Sequence, residues 1–67
     1  MTIKDLTEVM SCEDFNDIKV LNPDDEYLCK VKKFSQIPKD IKESVVLRIS
    51  VNLSNDLLIN VDFYWQN

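Results

Sequence analysis

The chain has 67 residues, 45% of them hydrophobic and 30% charged, with a net charge of −4 and neither histidine nor glycine. That length supplies one core and one domain, residues 1–67, and the balance of apolar and charged residues is that of a chain that folds. Missing histidine removes the usual acid/base group of catalysis, missing glycine removes the phosphate cradle of nucleotide-binding loops, and the acidic balance argues against direct nucleic-acid binding.

Thr2 reads as an N-cap, followed by Ile3, Leu6, Val9 and Met10 on one face of a short helix. Asp5 lies in its first turn, where the helix dipole favours a negative charge. A loop through Ser11 to Asn16 leads to a strand from Asp17 to Leu21, with Ile18 and Val20 on one face and Lys19 on the other. Asn22-Pro23-Asp24-Asp25 is a turn in which proline presets the backbone and the Asx side chains bond their own main chain. The return strand, Glu26 to Lys32, alternates Tyr27, Cys29 and Val31 with Leu28, Lys30 and Lys32.

After Phe34, Pro38 is expected at the first position of a helix about two turns long. The clearest pattern follows: Val45, Leu47, Ile49, Val51 and Leu53 alternate with Val46, Arg48, Ser50 and Asn52, as in a half-buried strand. Ser54-Asn55-Asp56 turns the chain into its antiparallel mate, where Leu57, Ile59, Val61, Phe63 and Trp65 alternate with Leu58, Asn60, Asp62 and Tyr64. This second hairpin is expected to form the core, with Leu28, Val46, Leu58 and Tyr64 on the opposite sheet face. The order helix, hairpin, helix, hairpin predicts an α+β two-layer domain with a four-stranded, mainly antiparallel sheet.

Without histidine, the serines and both cysteines lack the usual base that activates a nucleophile. Cys12 and Cys29 cannot complete a four-ligand zinc site, and Asp24-Asp25-Glu26 lacks the spacing and glycine of a calcium loop. No enzyme activity, cofactor or metal is expected. The opening residues lack a positive segment running into an apolar one, which predicts a cytoplasmic protein with reduced thiols. No apolar stretch approaches the ~20 residues of a membrane helix.

The candidate binding residues fall into two groups. Eight acids and two bases occupy residues 1–29, against six bases and four acids in residues 30–67. Glu13, Asp14 and Asp17 precede the first strand and Asp24, Asp25 and Glu26 follow it, so the two groups bracket roughly 15 Å at ~3.3 Å per residue. Carboxylates so arranged could imitate phosphates and compete for a basic groove. Tyr64 and Trp65 form the second group, because tyrosine and tryptophan are favoured interface anchors. An uncovered sheet face or open edge would also let two copies form a homodimer.

The opening Thr2-Ile3-Lys4-Asp5-Leu6-Thr7-Glu8-Val9, the stretch Asp14-Phe15-Asn16-Asp17-Ile18-Lys19-Val20 and the acidic turn after it resemble small acidic proteins encoded by phages and mobile elements of low-GC Gram-positive bacteria. The resemblance covers about the first thirty residues. It implies a setting in which accessory genes encode inhibitors of host defence, including anti-CRISPR proteins. The expected function is therefore a non-enzymatic inhibitor that occupies a basic nucleic-acid-binding surface, such as that of a CRISPR effector nuclease. The alternative is a structural or regulatory homodimeric module, antitoxin-like or phage-accessory, joined through the second hairpin.

Overall fold

Thr2 starts the first helix with a reciprocal cap: its hydroxyl accepts from the Asp5 N–H at 3.3 Å, and the Asp5 carboxylate accepts from the Thr2 N–H at 2.9 Å. In the computed structural model, which describes residues 1–65, this helix, α1, spans only Ile3–Leu6. Turn bonds from Val9 and Met10 to the Leu6 carbonyl close it, and the β-branched Thr7 and Val9 favour no further turn. Ile3 and Leu6 are buried, but Val9 is 74% exposed, because a helix of one turn no longer carries that position to the core. Ser11 then caps a 3₁₀ turn at Cys12–Asp14.

The chain continues through β1 (Ile18–Leu21), β2 (Tyr27–Val31), a 3₁₀ turn at Phe34–Gln36, α2 (Lys39–Lys42), β3 (Val46–Val51) and β4 (Leu57–Val61). Pro38 caps α2 from outside the helix instead of occupying its first position. The result is a small α+β fold with a four-stranded sheet in the order β2-β1-β4-β3. β1 and β4 lie side by side and parallel, flanked by the antiparallel pairs β1–β2 and β3–β4. The sheet is mixed, which corrects the mainly antiparallel sheet expected from the sequence. The connection through α2 runs from one sheet edge to the other, so β4 returns beside β1 in the same direction.

Burial accounts for that order. Ile18 and Val20 of β1 and Leu57, Ile59 and Val61 of β4 are fully withdrawn from solvent, and Ile3, Leu6, Phe34, Ile37 and Ile41 cover them. The two strands with the most to bury stand at the centre, as hydrophobic burial favours.

Two bulges overturn details of the expected alternation. Val20 pairs with Cys29 and Leu21 with Tyr27, so Leu28 is the extra residue of the first bulge; it joins the core while Tyr27 faces solvent. Val46 pairs with Val61 and Arg48 with Asn60, leaving Leu47 as the extra residue of the second, and Val46 packs against the core instead of lying on the far face. An inserted residue shifts the two-residue period by one, which exchanges the faces beyond it.

The larger correction concerns β3. Leu47, Ile49 and Val51 are 53%, 39% and 52% exposed. Ile49 and Val51 pair with Ile59 and Leu57, and so project on the core side of the sheet. The covering layer reaches Leu28 on one side and Val46 on the other but not these three residues, and leaves this edge open beyond Val46. Of the second hairpin, β4 is core and β3 is surface. Among the described residues, no helix is long and apolar enough to cross a membrane.

Candidate interaction surface

Both hairpin turns are built the same way. The Asn22 side-chain oxygen accepts from the N–H groups of Asp24 and Glu26 at 2.9 and 3.0 Å, and that of Asn52 accepts from Ser54 and Asp56 at 3.0 and 2.9 Å. Each asparagine amide then donates to the acid four residues on, Glu26 or Asp56. The fourth residue of each turn, Asp25 or Asn55, has a positive φ of 64° or 59°, the left-handed conformation that Asp and Asn tolerate where glycine is lacking. These turns fix where the acidic groups stand, at opposite ends of β1.

At the start of β1, Glu13 and Asp14 are exposed, and the Asp14 carbonyl accepts from the Asn55 amide at 2.8 Å. Asp17 faces inward to its own chain: Lys32 Nζ stands 2.6 Å and Lys30 Nζ 3.8 Å from its carboxylate. At the far end, Asp25 accepts from Arg48 at 2.6 Å and from the Asn60 amide at 2.7 Å. Asn60 also donates to the Asn22 carbonyl and accepts from Arg48, so it joins the first turn to β3 and β4. Part of the charge division between the two halves of the sequence is thus internal pairing, first-half acids Asp17 and Asp25 with second-half bases Lys30, Lys32 and Arg48.

Lys19 and Asp56 form the most enclosed of these pairs, 3.0 Å apart. The Asp56 hydrogen bond pushes the Lys19 ammonium above its ordinary pKa, and that same bond, with the Asn52 amide, holds the Asp56 carboxyl below the usual carboxylate range. Lys19 also stands 5.9 Å from the centre of the Tyr27 ring. Burial pushes the Cys29 thiol up, which keeps it protonated and unreactive near neutral pH.

The remaining acids meet the aromatic group. Tyr64 donates to the Asp24 carboxylate at 3.1 Å, and its hydroxyl is pushed up first by partial desolvation and then by that carboxylate. Trp65 is exposed and packs edge-on to Phe63, with ring centres 5.3 Å apart at 89°. Asn22, Glu26, Tyr27, Leu28, Tyr64 and Trp65 line one open depression of about 330 Å³. Of the eight residues singled out in the sequence, Asp24, Glu26, Tyr64 and Trp65 come together here, Asp25 is turned to Arg48 and Asn60, and Glu13, Asp14 and Asp17 stand at the other end of the sheet. Sequence reasoning missed Tyr27 as a wall of the cleft and Asn60 as a tie. The signal for the turns was present in the repeated pattern Asn22-Pro23-Asp24-Asp25-Glu26 and Asn52-Leu53-Ser54-Asn55-Asp56.

Aromatic faces beside carboxylates make a receptor for a planar or compact cation: the rings attract it through their quadrupole and the carboxylates through charge and hydrogen bonds. Comparison with protein-family models, curated proteins and solved structures finds no match.

Proposed function

We infer that this chain is a non-enzymatic binding protein that occupies a basic surface of a protein partner, seating an arginine or lysine side chain in the cleft of Tyr27, Tyr64, Trp65 and Glu26. The observation that carries the reading is the meeting of the acidic turn with the C-terminal aromatics, which the Tyr64–Asp24 hydrogen bond joins. Arginine is the better fit, because its plane stacks on a ring while its fork reaches a carboxylate. A partner whose arginines bind nucleic-acid phosphates offers such groups in number, and covering them blocks the nucleic acid. Together with the resemblance of the first thirty residues, this supports an anti-defence inhibitor acting on a host nuclease, a CRISPR effector among them. Exposed Glu13 and Asp14, at the other end of β1, extend the acidic footprint.

The test is a titration of isotope-labelled protein with an acetylated tetra-arginine peptide, its lysine counterpart and a glutamate control, followed by NMR. Shifts centred on the Trp65 indole and Tyr27, larger for arginine and absent for glutamate, are the expected result. Shifts confined to Glu13 and Asp14, or equal effects of all three peptides, would overturn the assignment of the cleft.

A further inference from the structure

The two edges of the sheet differ in how they meet solvent. β2 carries Lys30, with Lys32 and Lys33 just beyond it, and edge lysines discourage strand addition. β3 has no such protection. Between Val45 and Leu53 the one charged residue is Arg48, and it is paired with Asp25 at 2.6 Å. Val45, Leu47, Ile49, Val51 and Leu53 are all exposed apolar residues in that stretch.

The free backbone groups of this edge can be assigned. Asn52 N–H donates to the Asp56 carbonyl within the hairpin, so Ser50 and Arg48 aim their backbone groups at β4, while Ile49 and Val51 aim theirs outward. Val46 N–H, in contrast, donates outward to the Met1 carbonyl at 2.7 Å, a change of parity that the bulge at Leu47 supplies. Thr2 bridges Val45 on the same side. The N-terminal residues therefore cover the edge beside Val45 and Val46 and leave it open from Leu47 onward.

We propose that β3 pairs antiparallel with β3 of a second copy of this chain, about a two-fold axis at Ser50, to make one continuous eight-stranded sheet. In that register Ile49 of each copy faces Val51 of the other, and these are the residues with outward N–H and C=O groups, so the bonds are reciprocal. Leu47 meets Leu53 of the second copy, and Arg48 meets Asn52, so no like charges oppose. A register centred on Ile49 would instead bring Asn52 of the second copy, still in line with the strand, against Val46, where Met1 already lies; centred on Ser50, that position falls to Ser54, within the turn. The helices of both copies stay on one face, and the apolar side chains of Ile49 and Val51 close over the seam. The seam is a single strand pair, smaller than an ordinary interface of about 800 Å² per partner, so the association is weak and depends on protein concentration. The cleft formed by Tyr27, Tyr64 and Trp65 lies on β2 and the segment after β4 and stays open in both copies, so a dimer engages two basic sites at once. This pairing does not depend on what the cleft binds.

Ser50 and its counterpart form a non-hydrogen-bonded antiparallel pair, with Cα atoms about 4.5 Å apart, within disulfide reach. The test is Ser50→Cys in a Cys12→Ser/Cys29→Ala background, oxidised at about 20 μM with glutathione disulfide, beside Ser54→Cys as an exposed control. Rapid formation of a reducible dimer by Ser50→Cys alone is expected. Sedimentation of the unmodified chain is expected to give twice the 7.9 kDa chain mass, and of Ile49→Lys/Val51→Lys the single mass with unchanged circular dichroism. A chain that sediments as a monomer up to about 100 μM, or Ser50→Cys that cross-links no faster than Ser54→Cys, would overturn the pairing. Either result leaves the arginine titration of the cleft to stand or fall separately.

Discussion

Tyr64 donates its hydroxyl proton to the carboxylate of Asp24 across 3.1 Å, although forty positions separate the two in the chain. The bond holds the segment after β4 against the first turn and gives the cleft its two kinds of wall. Tyr64→Phe keeps the ring and removes the bond, so the ring is free to swing and Asp24 is no longer oriented. The tetra-arginine peptide is expected to bind roughly threefold more weakly, with a melting temperature within about 3 °C of the parent. Titration and thermal melting together check this: a large fall in melting temperature would mean that the bond serves the fold instead of the cleft.

Removing the Trp65 ring takes away a cation-binding face and leaves the acids in place. Trp65→Ala is expected to weaken the arginine peptide roughly tenfold and the lysine peptide less, since guanidinium gains more from stacking. Raising salt from about 0.05 to 0.5 M should weaken both variants in parallel, because the carboxylates, not the ring, supply the screened part of the attraction. Calorimetric titration in the two salts reads both effects.

Ile49 and Ile59 face each other across β3 and β4, yet Ile59 is fully buried and Ile49 is 39% exposed. Truncating Ile59 to alanine opens a cavity and costs about 2–5 kcal/mol, close to the whole stability of a domain this small. Truncating Ile49 costs about 1 kcal/mol or less. Urea unfolding of both variants at protein concentrations near 1 μM, where a weak seam is dissociated, is expected to show Ile59→Ala largely unfolded and Ile49→Ala near the parent.

That contrast also marks how far the sequence could be read. Alternation from Val45 to Leu53 shows that a strand forms and which side chains share a face; it carries no information on whether another element covers that face, which depends on the path of the α2 connection. The parallel contact of β1 with β4 is invisible for the same reason. Thr2 as a cap, both turns and the apolar set of β4 were legible because each rests on bonds or periods within a few residues. Leu28 and Tyr27 exchanged places because a bulge has no fixed local signature. The acids were visible as clusters, but their division between internal ties and open cleft depends on Arg48, Lys30 and Tyr64 arriving from the other end of the chain.

Asn55 sits at a φ of 59° and its amide reaches the Asp14 carbonyl at 2.8 Å. Glycine at this position relieves the left-handed backbone but loses that bond, and the two effects offset to within about 0.5 kcal/mol. Alanine loses the bond and keeps the strain, at a cost of about 2 kcal/mol. The expected order of urea midpoints is parent close to Asn55→Gly, with Asn55→Ala clearly lower; an alanine variant equal to glycine would show that backbone conformation contributes little at this turn.

The pair Lys19–Asp56 predicts the shape of the pH dependence of stability. Asp56 has a folded pKa below its unfolded value, so its contribution is complete above about pH 4 and is lost as pH falls through the lower folded value. Asp5, held down first by the Thr2 backbone N–H, acts in the same direction. Cys29, Tyr64 and Lys19 have raised folded values; their contributions are complete below their unfolded pKa values, 9.0 for the thiol, 10.0 for the phenol and 10.5 for the ammonium, and are lost as pH rises through the folded ones. The melting temperature is therefore expected to be flat from about pH 5 to 8, to fall on the alkaline side first through Cys29, and to fall again below about pH 4. Asp56→Asn removes the charge that Lys19 and the Asp17 N–H address, so its melting temperature at pH 7 should drop by roughly 5–10 °C, and the gap to the parent should be narrower at about pH 3, below the unfolded carboxylate pKa. An equal drop at both pH values would assign the loss to the shape of the turn and not to the charge of Asp56.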